Sequence, residues 1–183
     1  MYRLLTLALL ISLSLAAQAQ VEVTAVQHAR IGQVLAVKVS EDIAPGDYEA
    51  LIKGLRTHPG KFARKILLLD SIGGSVAEAV RMGRVLREFG FDALVPRDGI
   101  CQGSCIYLLA AGNQKLVRGP VGLHRPYYPG GDSARDLSPS AGNPLHYLRD
   151  MGVAPSLAQD MQQIAPQRMR ELSKDDLTRY RLN

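Results

Sequence analysis

Lys65-Ile66-Leu67-Leu68-Leu69-Asp70-Ser71-Ile72-Gly73-Gly74-Ser75-Val76-Ala77-Glu78 is the stretch that decides the fold. Its first half is a continuous apolar run of strand length, which suits a strand covered on both faces of a parallel sheet. The run enters a pair of glycines, and beyond them Ser75 and Glu78 stand at the S-x-x-E spacing of a capping box. Val76, Ala79, Val80 and Gly83 then give the inward stripe of a helix that ends at Gly90. The unit is strand, glycine turn, helix.

The flanking sequence repeats that alternation. Upstream, residues 21–39 are β-rich: Val21-Glu22-Val23 alternates, and a Val/Ala/Ile-rich run over 31–39 is broken by Gly32, which predicts two opening strands. Pro45-Gly46-Asp47 opens a helix with Asp47 as N-cap, and Tyr48, Leu51, Ile52 and Leu55 fall at i, i+3, i+4 and i+7 before Pro59-Gly60. Downstream, a strand over 91–95 leads through Pro96-Arg97-Asp98-Gly99 into residues 101–112, whose apolar second half reads as a buried helix stopped by Gly112. Short strands over 115–117 and 121–124 follow, divided by Gly119-Pro120. This order predicts an α/β fold of stacked strand-helix units, with a mostly parallel sheet and right-handed crossovers.

Between Pro126 and Pro144 the composition turns to Pro, Gly, Ser, Asp and Tyr, the mark of a long surface loop. Residues 145–151, 156–164, 167–172 and 174–182 then read as a C-terminal set of short helices, the last opened by Ser173. At the other end, Met1-Tyr2-Arg3, an uncharged Leu-rich run over 4–17 and Ala17-Gln18-Ala19 have the order of a secretory signal peptide, residues 1–19. The apolar run falls short of the ~20 residues that span a bilayer, so no stable membrane anchor is expected after cleavage. The expected location is periplasmic or secreted, and residues 20–183 make one domain.

With 46% hydrophobic residues and two cysteines in 183, the chain is neither disordered nor disulfide-dense. Its net charge of +5 is spread along helices and the tail with acidic residues interleaved, which argues against nucleic acid as a partner. No cofactor is expected. Gly73-Gly74 lacks both the Lys-Ser/Thr ending of a phosphate loop and the third glycine of a dinucleotide fingerprint.

A strand ending in paired glycines before a capped helix presents backbone N–H groups with no side chain in the way, and so stabilises negative charge. A phosphate, a carboxylate or an acyl-transfer oxyanion fits that description. About thirty residues later Ser104 stands at a second strand-to-helix junction, and His124 closes a short strand. A serine at a helix start, a histidine at a strand end and an amide-lined hole are the parts of a serine hydrolase.

In this order, Asp70-Ser71-Ile72-Gly73-Gly74-Ser75-Val76, the segment from Cys101 to Gly112 ending Leu-Leu-Ala-Ala-Gly, and Gly122-Leu123-His124-Arg125-Pro126 resemble the ClpP/crotonase superfamily, its small periplasmic ClpP-like members most closely. Glu171-Leu172-Ser173-Lys174-Asp175-Asp176-Leu177 is similar to the Leu-Ser-x-x-Glu segment near the end of ClpP domains, so the resemblance runs over residues 32–182. It implies a ClpP/crotonase-like fold, a cleft for an extended peptide or acyl group from a peptide or protein ligand, and homo-oligomers. It makes His124 the catalytic histidine and the Gly74 amide one oxyanion donor.

The sequence departs from that pattern at two places. Counting back from Ala110-Ala111-Gly112, the nucleophile position is Gly103, one residue before Ser104. Counting back from Leu172-Ser173, the acid position lies near Ala165, with Asp160 five residues away. A one-residue shift at a helix start turns a side chain by about 100°. Ser104 therefore has two readings: a nucleophile for His124 with the Cys105 amide as second oxyanion donor, or an N-cap for the helix that follows.

Cys101 and Cys105 are the only pair, and in an exported chain their spacing of four suits a disulfide. A Cys105 thiolate paired with His124, and a metal site of Cys101, Cys105 and His124, are the alternatives; without a second His/Cys cluster no metal is expected. Tyr127 and Tyr128 are candidate substrate contacts at the mouth of the long loop. Asp70 is expected to order the Gly-Gly turn, and His28, His58 and His146 are read as structural. Three functions follow: a ClpP-like binding protein with its hydrolytic machinery incomplete, an active serine peptidase or esterase using Ser104 and His124, and a non-catalytic oligomeric module.

Overall fold

The computed structural model describes residues 20–125, 143–165 and 167–183, which form an α/β fold around a mixed, mostly parallel sheet. The expected signal peptide, the 126–142 part of the long loop, and Tyr127 and Tyr128 lie outside the described residues. Among those described there are eight strands and six helices, and no helix is long and apolar enough to cross a membrane.

Strand β1 (Gln20–His28) and β2 (Gly32–Ile43) make an antiparallel hairpin, in register from Gln20 opposite Ser40 to His28 opposite Gly32. Helix α1 (Asp47–Arg56) crosses to β3 (Arg64–Gly74), which runs parallel to β2. Helix α2 (Val76–Glu88) leads from β3 to β4 (Asp92–Val95), parallel to β3 on its other side.

Beyond β4 the chain leaves the sheet at residues 96–100 and rejoins it as β5 (Cys101–Gln102), paired with the same edge of β3 at Ser71. Helix α3 (Cys105–Ala111) follows, then β6 (Lys115–Val117) outside β4 and β7 (Val121–Leu123) outside β5, both parallel. The two interruptions lie side by side. A Cβ on Gly119 would stand 2.2 Å from Gly99 O and 2.3 Å from Pro96 O, so only a glycine lets the backbones pass. Helices α4 (Pro144–Asp150) and α5 (Pro155–Gln163), strand β8 (Arg170–Glu171) and helix α6 (Lys174–Tyr180) complete the chain.

Four local expectations need correction. Residues 167–172 do not form a helix: Arg170 and Glu171 pair antiparallel with β7, whose outer edge would otherwise be open. Asp47 is not the N-cap of α1, a place taken by Gly46; it is the first helical residue, and its carboxylate accepts the Ala44 N–H at 2.8 Å to close the preceding turn. The capping box at α2 is half formed. Ser75 Oγ accepts the Glu78 N–H, but the buried Glu78 carboxylate binds the Tyr48 N–H and Arg81.

The fourth concerns β3, which is not covered equally on its two faces. Val37, Val39, Leu67, Leu69, Ala93 and Val95 are buried in the core that α1, α2 and α3 close. The opposite row, Lys38, Leu68, Leu94 and Leu116 across β2, β3, β4 and β6, stays half-buried or exposed. Alternation of burial along β3 follows directly from helices stacking on one side only.

Candidate functional site

Two chain reversals and one imidazole meet at the ends of β3, β5 and β7. Ser71 is fully buried two residues before the glycine pair; its hydroxyl donates to Glu41 O at 2.6 Å and accepts the Gly73 N–H at 3.1 Å. Those two hydrogen bonds fix the turn in which Gly73 takes φ +96° and Gly74 φ +137°, both in the region glycine tolerates best. A Cβ on Gly73 would lie 2.7 Å from Gln102 O and 2.9 Å from Ser104 N, so the first turn packs directly on the second. Gly74 looks the other way: its β position is 2.3 Å from Ile43 O and 2.4 Å from Asp42 Oδ1 at the end of β2.

The second turn is clamped by the disulfide between Cys101 and Cys105, with Cα atoms 5.3 Å apart and both residues buried. A disulfide pair fits an oxidising compartment outside the cytoplasm, and it leaves no thiolate or thiol ligand at this place. Within the clamp, Gly103 has φ +54° and gives its N–H to Gly122 O at 3.1 Å. A Cβ added there would stand 2.6 Å from His124 Nε2 and 3.2 Å from Cε1. The residue facing the imidazole is therefore Gly103.

Ser104 forms neither of the bonds expected of it. Its hydroxyl is buried and has no hydrogen-bond partner among the described residues, neither His124 nor a helix N–H. The backbone explains the missing cap. Ser104 is already in helical conformation, φ −68° and ψ −15°, whereas a capping serine is extended so that its hydroxyl reaches back to the second or third N–H.

His124 follows β7 and is half-buried. Its Nδ1 lies 2.8 Å from Arg125 O. A carbonyl only accepts, so Nδ1 carries a proton, and Nε2 faces Gly103. In a hydrolase triad a carboxylate holds this place and stabilises the imidazolium; a carbonyl orients the ring and supplies no negative charge.

The run containing Ala165 is nevertheless close by, since the Arg125 N–H donates to Ile164 O at 2.9 Å. Asp160 is committed elsewhere. On α5 it takes a short hydrogen bond from Tyr180 and pairs with Arg179 at 3.2 Å and Arg170 at 4.0 Å. Asp70 is likewise not at the glycine turn: its Oδ1 accepts the Ile100 N–H at 3.1 Å and so orders the 96–100 crossing. Exposed apolar side chains flank the junction. Ile72 and Met169 are 52% and 45% exposed; Ile72 O lies 3.5 Å, and Met169 Sδ 2.4 Å, from the β positions of Gly103 and Gly122.

Sequence reasoning missed Ser71, whose role depends on a carbonyl thirty residues away; its place two residues before Gly73 was the available signal. His28, His58 and His146 lie apart from this junction, on β1, after α1 and on α4. No family model matches this chain, and no curated protein matches it.

Proposed function

We propose that the chain is an exported, ClpP-like protein that binds an extended peptide or acyl group at the junction of the two turns, and that it has lost the nucleophile its ancestors used there. The carrying observation is Gly103, held at φ +54° with its β position 2.6 Å from Nε2 of His124. A left-handed residue at a sharp strand-to-helix turn, aimed at a histidine, is the geometry of a nucleophile elbow. Here the elbow carries no side chain. The carbonyl on Nδ1 and the missing carboxylate at Ala165 agree with that reading, because an imidazole without an acid and without an adjacent hydroxyl is not a hydrolytic pair. The exposed Ile72 and Met169 offer apolar contacts to a bound chain, and the disulfide suits a protein made for an oxidising compartment.

Labelling with a fluorophosphonate, read by intact mass, tests the loss of chemistry. The native protein is expected to stay unlabelled and Gly103→Ser to be labelled slowly at residue 103. Labelling of the native protein at Ser104, abolished by Ser104→Ala and by His124→Ala, overturns it in favour of an active hydrolase. Binding is tested separately with fluorescent unstructured peptides, where Ile72→Asp is expected to weaken affinity about tenfold or more through lost apolar contact. A form secreted with Gln20 as its first residue, seen by N-terminal sequencing, checks the export.

A further inference from the structure

The sheet has edges of very different kinds. At β8 the edge is two residues long and both are charged, Arg170 and Glu171; at β6 it is three residues with Lys115 and the nearby Arg118. Short strands and charges are the ordinary means by which a protein keeps an edge from pairing. Strand β1 has none of them. It is nine residues long, contains no Pro, Gly or Lys, carries one formal charge at Glu22, and pairs with β2 in unbroken register without a bulge. Among the described residues nothing pairs with its outer side, and residues 24–28 are exposed.

We propose that β1 is a dimerisation edge, on which the β1 of a second copy of this chain pairs antiparallel about a two-fold axis through Ala25. That register sets Ala25 opposite its twin, Thr24 opposite Val26, Val23 opposite Gln27, and Glu22 opposite His28 of the second copy. The strand is complementary to itself in hydrogen bonding. Its acidic residue lies near one end and its imidazole near the other, so reversal brings each carboxylate to a ring twice over. His28 is prepared for that contact: its Nδ1 accepts the Arg30 N–H at 3.2 Å, which leaves Nε2 as the donor. Centring the pair on Thr24 instead would place Glu22 against the apolar Val26.

The rest of the hairpin permits the approach. Val23 is packed under α1, where the β position of Gly54 lies 2.4 Å from Val23 Cγ2, so the strand is held flat on the molecule. Glu22, Thr24, Val26 and His28 occupy the other face, which no helix among the described residues covers. Pairing across the axis joins the two sheets into one and satisfies the outer N–H and C=O groups of both strands. Val26, 47% exposed, loses water against Thr24 and its own counterpart.

Sedimentation of the purified protein is expected to give a dimer, and Thr24→Lys/Val26→Lys, which opposes lysines across the axis on an exposed face, a folded monomer. Ala25→Cys gives a second measurement. Both native cysteines are in the disulfide, so the new thiol is the only free one. Directly opposed residues have Cα atoms about 4.5–5.5 Å apart, within disulfide reach, so mild oxidation is expected to crosslink Ala25→Cys and to leave Gln27→Cys uncrosslinked. A native protein that stays monomeric at high micromolar concentration, or a dimer that ignores the lysine pair and shows no Ala25→Cys crosslink, overturns the proposal.

Discussion

At Gly103 the backbone turns left-handed and a ring nitrogen occupies the space a side chain would need. Gly103→Ala is therefore strained twice, by its φ and by a contact that only a retreating imidazole relieves. We expect a loss of about 1–2 kcal/mol in urea denaturation and a displaced His124 ring signal in the NMR spectrum. Ser71 is the other residue on which the junction depends. Ser71→Ala removes the partner of the buried Gly73 amide and of the Glu41 carbonyl, and is expected to cost about 1–3 kcal/mol by the same measurement. The contrast between these two residues shows what the sequence makes legible. Counting along the chain from Ala110-Ala111-Gly112 put Gly103 at the nucleophile position, and the imidazole does face it. Ser71 and Asp70 could not be told apart that way, because which of two adjacent polar residues serves the turn depends on strand alternation and on partners thirty residues away.

Among the elements, α1 shows how tertiary context overrides a local signal. Asp47 is the first residue of the helix and not its cap, and its carboxylate is buried between the 42–46 turn and Glu78; burial raises its pKa above the ordinary value, with Glu78 and Asp42 adding to the rise. A group whose folded pKa is raised stabilises the fold at low pH and loses that contribution as pH climbs through the folded value. Asp47→Asn retains an oxygen for the Ala44 N–H and does not titrate. It should be more stable than the native chain at neutral pH, with the difference closing below the usual carboxylate range; parallel urea titrations across pH read this directly. Strand β8 teaches the same lesson from the other side. The stretch 167–172 has no β-branched residue and reads as helix, but the unpaired edge of β7 recruits Arg170 and Glu171 into the sheet.

For the molecule as a whole, the parallel α/β architecture was legible because strand, glycine turn and helix recur in order, and each glycine or proline break lies at an element boundary. The second face of the sheet, which no helix among the described residues covers, was not. Ile66 and Leu68 look the same in sequence whether a helix covers them or solvent reaches them, and only the placement of α1, α2 and α3 on one side decides it. The disulfide acts at this scale as well as locally, since it joins β5 to the start of α3. Its closed loop is short, so reduction is expected to cost only about 2 kcal/mol of global stability while weakening ligand binding more than that figure suggests, a split that melting and peptide titration in reductant separate.

Among the described residues β3 is the one strand hydrogen-bonded to both halves of the interrupted sheet, with β4 and β6 beside its first part and β5 and β7 beside its last. The latter pair make only one or two rungs with each neighbour, so that corner is expected to open before the remainder of the sheet. Deuterium uptake should accordingly arrive in two waves, the early one at amides around the imidazole and the late one along residues 66–69. Opening confined to that corner would let the extended ligand proposed above enter without unfolding the rest.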